Sequence, residues 1–398
     1  MENINSEILK QVQDDSKKNI KKLVLIDGNA IIHRAYHALP KSMATRKGEQ
    51  TNAVYGFTTT IIKVLEDLNP DHIACSFDLA GPTFRHEQYA EYKATRVKAD
   101  QDLYDQIPRV RQVVETMNIP IYEMAGFEAD DVLGTIVRQV KNATSTESVH
   151  KKDTEKNRID IYIVSGDKDI YQLINGNVFV YSLRKGLSQM QVVDHETIQK
   201  EYGLDPEDFI DLKALAGDPS DNIPGVPGIG PKTAIDLIQR FDTLQNLYNI
   251  IAKHLEDVGI ILKAEFIIAK HTSESDFKNL LIEEFIENWK LKIVKFAGEL
   301  EVIAKELNVK PRILGLLISF YPQALLSQHL ATIHRDVPIE FSLEDAKWGG
   351  YDKEELKKLF LELGFQSLLR RFDAGNEKSE IRKLKSEVEK KDEQLKLL

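Results

Sequence analysis

The 398-residue chain has almost no cysteine, no excess of positive charge and no long uninterrupted apolar run. Its single cysteine, Cys75, excludes an internal disulfide and a cysteine-based zinc site, and its apolar neighbours indicate a buried thiol in a reducing compartment. Residues 1–22 are polar and charged, so we expect no secretory signal. The run ILGLLISFYPQALL is broken by Pro322 and predicts a core helix. We therefore expect a cytoplasmic protein that does not contact a membrane.

The net charge is −10, from 53 basic and 63 acidic residues. Proteins that bind phosphate backbones usually carry an excess of Lys and Arg, so this balance at first disfavours a nucleic-acid partner. However, carboxylates gathered around metal ions would make the formal charge misleading. Local basic segments could then still follow a phosphate backbone.

Residues 22 to about 185 alternate short β-branched runs with amphipathic helical stretches, a pattern typical of an α/β fold with a parallel sheet. The runs are apolar enough to predict that helices cover both faces of the sheet. The predicted strands are KLVLI (22–26), HIACSF (72–77), IPIY (119–122), IDIYIV (159–164) and NVFVY (177–181). The polar stretch 142–158 predicts a surface loop.

The pattern turns helical near Asp205 and stays so to about Thr332, which predicts a second, all-helical unit. The predicted units are a polar N-terminal extension (1–20), an α/β unit (21–204), a helical unit (205–335), a closing segment (336–373) and a charged helical tail (374–398). The tail has only about two imperfect heptads, so a solvated single helix is favoured over a coiled coil.

Nine carboxylates form the candidate set: seven follow predicted strands or open the segment after one, and two lie where the sheet unit gives way to the helical one. Because the carboxyl ends of parallel strands share one edge of the sheet, we expect these acids to converge there. The nine are Asp27, Asp78, Glu128, Asp130, Asp131, Asp167, Asp169, Asp218 and Asp221.

Carboxylates packed so closely would repel one another and become protonated unless cations neutralised them. The set therefore predicts hard metal ions with oxygen ligands. No His or Cys stands beside these positions, which favours Mg²⁺ or Mn²⁺ over zinc. Taken singly, each group also has a plain explanation: a tight turn at Asp27-Gly28, helix capping at Glu128 to Asp131, or loop acids at Asp167 and Asp169.

Three glycines precede a helical run in GVPGIGPKTA: Gly225, Gly228 and Gly230. Glycines let a backbone approach a phosphate closely, and N–H groups at a helix start bind its oxygens. Lys232 adds a positive charge on the first helical turn. The spacing is not that of a P-loop, and no strand precedes it as a dinucleotide fingerprint requires. The alternative is a tight turn between two helices that binds nothing.

A basic and aromatic segment, residues 82–111, follows Asp78. Aromatic rings among cations suit a single strand, whose bases stack while its phosphates meet Lys and Arg. The segment also holds five acids, so a solvated pair of amphipathic helices is the alternative. The cations are Arg85, Lys93, Arg96, Lys98, Arg109 and Arg111, and the rings are Phe84, Tyr89, Tyr92 and Tyr104.

In these motifs the sequence resembles the 5′-nuclease family, in particular the N-terminal exonuclease domain of bacterial DNA polymerase I. The resemblance covers Leu23 to Tyr248 and rests on LVLIDGNAIIHRAYHAL, AVYGF, FD followed by PTFRHEQYAEYKATR, GFEADDVLGT, SGDKDIYQL and LAGDPSDNIPGVPGIGPKTA. It implies a PIN-like parallel sheet covered by helices with a helix-hairpin-helix-type DNA-binding unit. The implied activity is a structure-directed 5′-3′ exonuclease or 5′-flap endonuclease that uses two metal ions in DNA replication and repair.

The resemblance also implies roles for individual residues. The first metal ion would be held by Asp27, Asp78, Glu128 and Asp130, with Asp131 close by, and the second by Asp167, Asp169, Asp218 and Asp221. The implied cofactors are two Mg²⁺ or Mn²⁺ ions, with K⁺ at the helix-hairpin-helix element. Lys93 and Arg96 would act on the scissile phosphate, Tyr92 would stack on a base, and Arg85 would lie on the same DNA path. The loop from Gly225 to Lys232 would grip the duplex.

The implied partners are DNA with a 5′ flap, nick or duplex 5′ end, an RNA primer in a hybrid, and a separate DNA polymerase. We expect a monomer at the bacterial nucleoid. Two departures from the family stand out: residues 250–318 are longer than expected, and LFLELGFQSLLRRF (359–372) is followed only by a charged tail, with no polymerase motif. Two rival functions remain, a ribonuclease of the broader PIN-like class and a non-catalytic DNA-binding module.

Overall fold

The computed structural model describes residues 20–96, 98–146, 158–185, 189–257 and 297–370. Its strands are Lys21–Asp27 (β1), His72–Ser76 (β2), Ile121–Tyr122 (β3), Ile159–Ser165 (β4), Val178–Lys185 (β5) and Gln189–Val193 (β6). They form one sheet in the order β3-β2-β1-β4-β5-β6, in which β6 alone runs antiparallel to its neighbour. The five predicted strands are confirmed, and β6 was not predicted.

Helices cover both faces of this sheet. They are Gly28–Ala38 (α1), Asn52–Leu68 (α2), Phe84–Gln88 (α3), Gln101–Tyr104 (α4), Ile107–Thr116 (α5), Ala129–Thr146 (α6) and His195–Tyr202 (α7). Alternate residues of β1 enter different cores: Val24 and Ile26 pack with α2 and α5, whereas Leu23 and Leu25 pack with α6. Successive side chains of a strand point to opposite faces, which explains the continuous apolar runs. The predicted α/β class is confirmed.

A helical unit follows the sheet. Its described helices are Asp208–Ala216 (α8), Pro231–Phe241 (α9), Leu244–Asp257 (α10), Ala297–Glu306 (α11), Pro311–Ser319 (α12) and Tyr321–Ala331 (α13). They share a core that includes Leu237, Ile303 and Leu317. The prediction of helices from Asp205 to Thr332 is therefore confirmed over the described residues.

The chain then returns to the sheet. Ile73 donates its N–H to the carbonyl of Ala346, and Trp348 donates to Asp71, so this segment lies along the amino end of β2. Helix α14 (Lys353–Glu362) buries Phe360 in the same core as β1. The sequence predicts a mixed closing segment at 336–373, and those bounds stay a prediction.

Some predictions meet the limits of the described chain. Helix α6 runs to Thr146, so the loop expected from residue 142 begins later than predicted. Residues 1–19 of the predicted N-terminal extension, residues 147–157 of the predicted loop and the predicted tail lie outside the described residues. Among the helices that are described, none has the length and apolar character needed to cross a bilayer.

Candidate active site

Asp27 ends the central strand β1 and begins helix α1. Its carboxylate accepts a hydrogen bond from the N–H of Ala30, 3.0 Å away, and so caps the helix. Gly28 follows at once because a Cβ there would lie 2.3 Å from the ring of Phe77. The Asp-Gly pair is therefore a strand-to-helix junction under an aromatic ring, and not the plain turn that was its alternative.

Burial and neighbouring acids raise the proton affinity of Asp27. Burial raises the pKa of Asp27 to about 7, and the charges of Asp78 and Asp167 add to this against hydrogen bonds from Ala30 and Ser165. Asp27, Asp78 and Asp167 come from the ends of three neighbouring strands, β1, β2 and β4. The structure thus brings the predicted strand-end acids to one edge of the sheet.

The start of helix α6 closes the site on one side. The carboxylate of Asp78 accepts a hydrogen bond from the N–H of Ala129 at 2.7 Å, so it caps this helix. Glu128 is buried and Asp130 half-buried beside it. Burial, together with the charges of Asp131 and Glu128, raises the pKa of Asp130 well above its usual range. Burial also raises the pKa of Asp78, so Asp78 and Asp130 both favour the neutral form more than a free aspartate does.

The second predicted group of acids surrounds Lys213, in the last turn of α8. Its ammonium group pairs with both Asp169 and Asp218. Burial and the charge of Asp167 raise the pKa of Asp169 to about 7 in spite of this lysine. Burial also acts to raise the pKa of Asp218, but Lys213 and Ser220 hold it below its ordinary value.

Lys93 and Arg96 lie directly on the carboxylates. Lys93 donates to Glu128 at 2.7 Å, and Arg96 pairs with Asp221. The backbone of Lys93 is left-handed, with φ at 56°, and its N–H donates to the carbonyl of Asp221. Strained backbone of this kind is held by its surroundings and gathers at functional sites. Burial would raise the pKa of Asp221, but the two cations hold it below its ordinary value.

The acids at this edge outnumber the cations paired with them. Among the described residues, eight carboxylates face four cations, namely Lys93, Arg96, Lys213 and Arg85, the last of which also pairs with Glu128 at 3.5 Å. The eight are Asp27, Asp78, Glu128, Asp130, Asp167, Asp169, Asp218 and Asp221. Within the described residues, no three His, Cys, Asp or Glu groups are arranged so that they could hold a metal ion directly. The oxygen-only donor set and the excess negative charge nevertheless fit hard divalent cations.

Asp131 and Arg85 have a different role from the one implied. The guanidinium of Arg85 is 2% exposed and forms two hydrogen bonds with Asp131, which is fully buried. Arg85 also donates to the carbonyls of Leu330 and Thr332, and Asp131 accepts from the N–H of Glu128. Both side chains are saturated inside the protein. Arg85 is therefore not a DNA contact here, and Asp131 is not placed to ligate a metal ion.

Tyr92 is also buried, at 3% exposure, where a base could not stack on its ring. Its hydroxyl donates to Glu128 at 3.1 Å and to Asp221 at 3.0 Å, so it links the two groups of acids. The predicted stacking role is wrong for this arrangement because the ring packs against Ile223 and Leu330.

The rest of the basic and aromatic segment is only partly available to a ligand. Arg109 pairs with Glu49 and Glu362, and Arg111 pairs with Glu123. Other members stay open: Lys98 is exposed, and Tyr104 is 45% exposed. The interpretation of residues 82–111 as one continuous strand-binding surface therefore does not hold.

The glycine-rich loop leads into α9 as predicted. Gly225 is buried, with φ at 61°, and its N–H donates to the hydroxyl of Ser327. Gly228 and Gly230 are exposed, and Lys232 is exposed on the first turn of α9. The outer half of the loop could meet a phosphate, whereas Gly225 serves to pack the loop.

Two residues of the site were not predicted from the sequence. Lys213 resembles any lysine in the last turn of a helix, and only the fold shows that it lies between Asp169 and Asp218. Ser165 is the first residue of the SGDKD motif, in which only the acids were predicted to act, and its hydroxyl donates to Asp27 at 2.8 Å. Its place at the end of β4 could have drawn notice, since the acids were found by the same rule.

Comparison with known proteins identifies the family of the chain. Residues 22–203 match the family model described as 5′-3′ exonuclease, N-terminal resolvase-like domain, and residues 204–273 match 5′-3′ exonuclease, C-terminal SAM fold. DNA polymerase I of Bacillus subtilis (strain 168) is 36% identical over 90% of this chain and 33% of its own length. DNA polymerase I of Bacillus caldotenax is 35% identical over the same shares.

Among solved structures, the bacteriophage T5 D15 flap endonuclease in a pseudo-enzyme-product complex with DNA and metal ions is 22% identical. That alignment covers 57% of this chain and 78% of the other, with a TM-score of 0.46. The chain spans about a third of the length of the curated relatives it matches. The two family models together cover more than half of the chain, in order and without a gap between them. The chain therefore belongs to the 5′-3′ exonuclease family of nucleases.

Proposed function

We propose that this chain is a structure-directed 5′-3′ exonuclease and 5′-flap endonuclease that hydrolyses DNA phosphodiester bonds with two divalent cations. The observation that carries this function is the convergence of acids from the ends of β1, β2 and β4 with those of α6 and of the turn at 218–221. Catalytic sites of open parallel sheets lie at this edge. Few structural demands would place so many carboxylates together.

Two sets of acids would hold the cations. Asp27, Asp78, Glu128 and Asp130 form the first set, and Asp167, Asp169, Asp218 and Asp221 form the second; Asp131 is left out because Arg85 saturates it. When bound, Mg²⁺ or Mn²⁺ would lower the pKa of water and stabilise the charge of the phosphodiester as it is cleaved. Lys93, Arg96 and Lys213 would have to release their carboxylate partners first.

The cations of the chain then act on the substrate. Once released from Glu128 and Asp221, the ammonium of Lys93 and the guanidinium of Arg96 would meet the scissile phosphate and offset its growing negative charge. Arg96 is half-exposed and Lys93 is 18% exposed, so both have a path to a bound strand. Tyr92 would keep Lys93 near the site, since it anchors the same segment to Glu128 and Asp221.

Binding of the duplex is assigned to the outer half of the glycine loop. Gly228, Gly230 and Lys232 are exposed at the start of α9, where N–H groups and the helix dipole favour phosphate. K⁺ is the cation we assign to this element. Gly225 supports the loop from below.

The biological context follows from this chemistry. The substrates would be DNA with a 5′ flap, a nick or a duplex 5′ end, and an RNA primer within a hybrid, in replication and repair. The protein would act as a monomer in the bacterial cytoplasm, at the nucleoid, with a DNA polymerase as a partner.

The decisive test is digestion of a 5′-labelled flap duplex in Mg²⁺, with single-stranded RNA as the competing substrate. We expect short 5′ products from the flap, which EDTA abolishes. Preferential cleavage of the RNA would favour the PIN-like ribonuclease, and no cleavage of either substrate would favour a binding module.

Two variants separate chemistry from binding. Asp78→Asn removes a negative charge from the first set and should abolish cleavage while DNA affinity holds or rises, because repulsion of phosphate falls. Lys232→Ala should weaken duplex binding and reduce its salt dependence by about one unit of slope. Filter binding and flap cleavage at several salt concentrations measure both. If Asp78→Asn cuts normally, or Lys232→Ala binds normally, that assignment is wrong.

A further inference from the structure

Three buried side chains form a row across neighbouring strands at the catalytic edge. Asp27 of β1 pairs with Ser76 of β2. On the other side, Ile26 of β1 pairs with Val164 of β4, so the next residues, Asp27 and Ser165, are neighbours as well. Leu25, Ala74 and Ile163, two residues earlier on each strand, belong to the core under α6. Side chains of a strand alternate between faces, so all three members of the row lie on that face.

The two serines of the row differ in one respect. The hydroxyl of Ser165 donates to Asp27 at 2.8 Å and accepts from the N–H of Asp167 at 3.0 Å. Ser76 is fully buried, and its hydroxyl has no hydrogen-bond partner among the described residues. Ser165 is thus hydrogen-bonded to Asp27, whereas the hydroxyl of Ser76, on the other side of Asp27, makes no hydrogen bond among the described residues.

At the ends of β1 and β4, the hydroxyl of Ser165 lies between Asp27 of the first set of acids and Asp167 of the second. The Ser165 hydroxyl donates a hydrogen bond to one carboxylate oxygen of Asp27, and the N–H of Ala30 donates to the other. The same hydroxyl accepts a hydrogen bond from the N–H of Asp167 and so holds the turn that carries this residue. The carboxylate of Asp167 then accepts from the N–H of Asp169 at 3.0 Å. Groups that orient metal ligands in this way commonly change metal affinity by 10- to 100-fold when removed.

We propose that Ser165 is a positioning residue for divalent cations: its hydroxyl holds Asp27 and the Asp167 turn in register, so that both sets of acids bind metal together. The role rests on the proposed function, because it assigns these acids to metal ions. Ser165 itself need not touch the metal or the substrate.

The test measures binding of Mn²⁺ alone by titration calorimetry at pH 8, without DNA. Ser165→Ala should weaken binding by about ten-fold. Ser165→Thr keeps the hydroxyl, and its Mn²⁺ affinity should stay within about two-fold of wild type. Ser165→Val has the shape of the threonine variant without the hydroxyl and should bind Mn²⁺ as weakly as the alanine variant. Ser76→Ala is the matched control, since it deletes a buried hydroxyl of the same row that has no partner, and it should bind like wild type.

Thermal unfolding of each variant shows whether it folds. If Ser165→Ala does not fold, the comparison of Ser165→Thr with Ser165→Val provides the test. Wild-type affinity in both Ser165→Ala and Ser165→Val, or equal weakening by Ser76→Ala, overturns the role. Flap cleavage by the wild type is measured in parallel. A wild type that binds Mn²⁺ in a Ser165-dependent way but cuts no DNA supports the role and overturns the proposed function. A wild type that binds no Mn²⁺ overturns both.

Discussion

Arg85 and Asp131 form a two-pronged ion pair inside the protein, with N–O distances of 2.7 and 2.8 Å. The pair joins helix α3 to the start of α6. Arg85 also donates a hydrogen bond to the carbonyl of Leu330, at the end of α13. It therefore ties the helical unit to the helix that presents Glu128 and Asp130.

We expect Arg85→Ala to lower the free energy of unfolding by about 3–5 kcal/mol, because it leaves the charge of Asp131 buried without its partner. Arg109→Ala is the control: its ion pair with Glu49 is partly exposed, so the loss should stay below about 1 kcal/mol. Urea unfolding in EDTA measures both. An Arg85→Ala protein of normal stability that binds DNA poorly would restore the DNA-contact role.

Lys93→Ala should lower turnover on a flap by a factor on the order of 10², since it removes a cation assigned to the phosphate. It should also destabilise the metal-free protein, because Glu128 loses its partner at 2.7 Å. Mg²⁺ should recover part of that loss. Exposed Lys98→Ala is the control for both turnover and melting temperature. Normal turnover in Lys93→Ala would remove Lys93 from the catalytic set.

Gly225 and Gly230 should respond in opposite ways to alanine. A Cβ at Gly225 would lie 2.2 Å from the backbone nitrogen of Gly217, at a positive φ, so Gly225→Ala should cost at least about 2 kcal/mol of stability. At Gly230 the Cβ meets open space and φ is −98°, so the change should stay within about 0.5 kcal/mol. Urea unfolding compares the two. Equal stability of the two variants would show that the loop relaxes freely.

The metal-free protein should lose stability as pH rises from about 4 to 7. Asp27 and Asp169 have pKa values of about 7 against an ordinary 3.8, so in this window the folded protein holds protons that the unfolded chain has released. The folded state binds more protons, and the free energy of unfolding therefore falls with pH. The lowered pKa of Asp218 and that of Asp221 act only below about pH 4.

Asp27→Asn should flatten this fall, because it removes one of the groups that titrate there. Exposed Asp345→Asn, near the amino end of β2, should leave the slope unchanged. Urea unfolding in EDTA between pH 5 and 8 provides the measurement. A slope in Asp27→Asn equal to that of the wild type would mean that Asp27 is already ionised at pH 5.

Local chemistry predicted the elements and the position of the acids well. β-branched runs marked five strands, because a strand covered on both faces must be apolar throughout. The short strand β6 was missed: QMQVV is only five residues long, and its pairing with β5 makes it a strand. Strand ends marked Asp27, Asp78 and Asp167, because topology alone brings the ends of parallel strands together.

The sequence by itself determined the α/β class, the family and the carboxylates that meet at one sheet edge, since these depend on residue type and order along the chain. Only the tertiary structure decided which charged side chains face solvent and which face each other. Arg85 and Tyr92 lie in the same polar segment as Arg96, yet the packing of α13 buries the first two and leaves the third half-exposed. Lys213 became part of the site for the same reason, because burial and ion pairing depend on contacts between segments far apart in sequence, which no local pattern encodes.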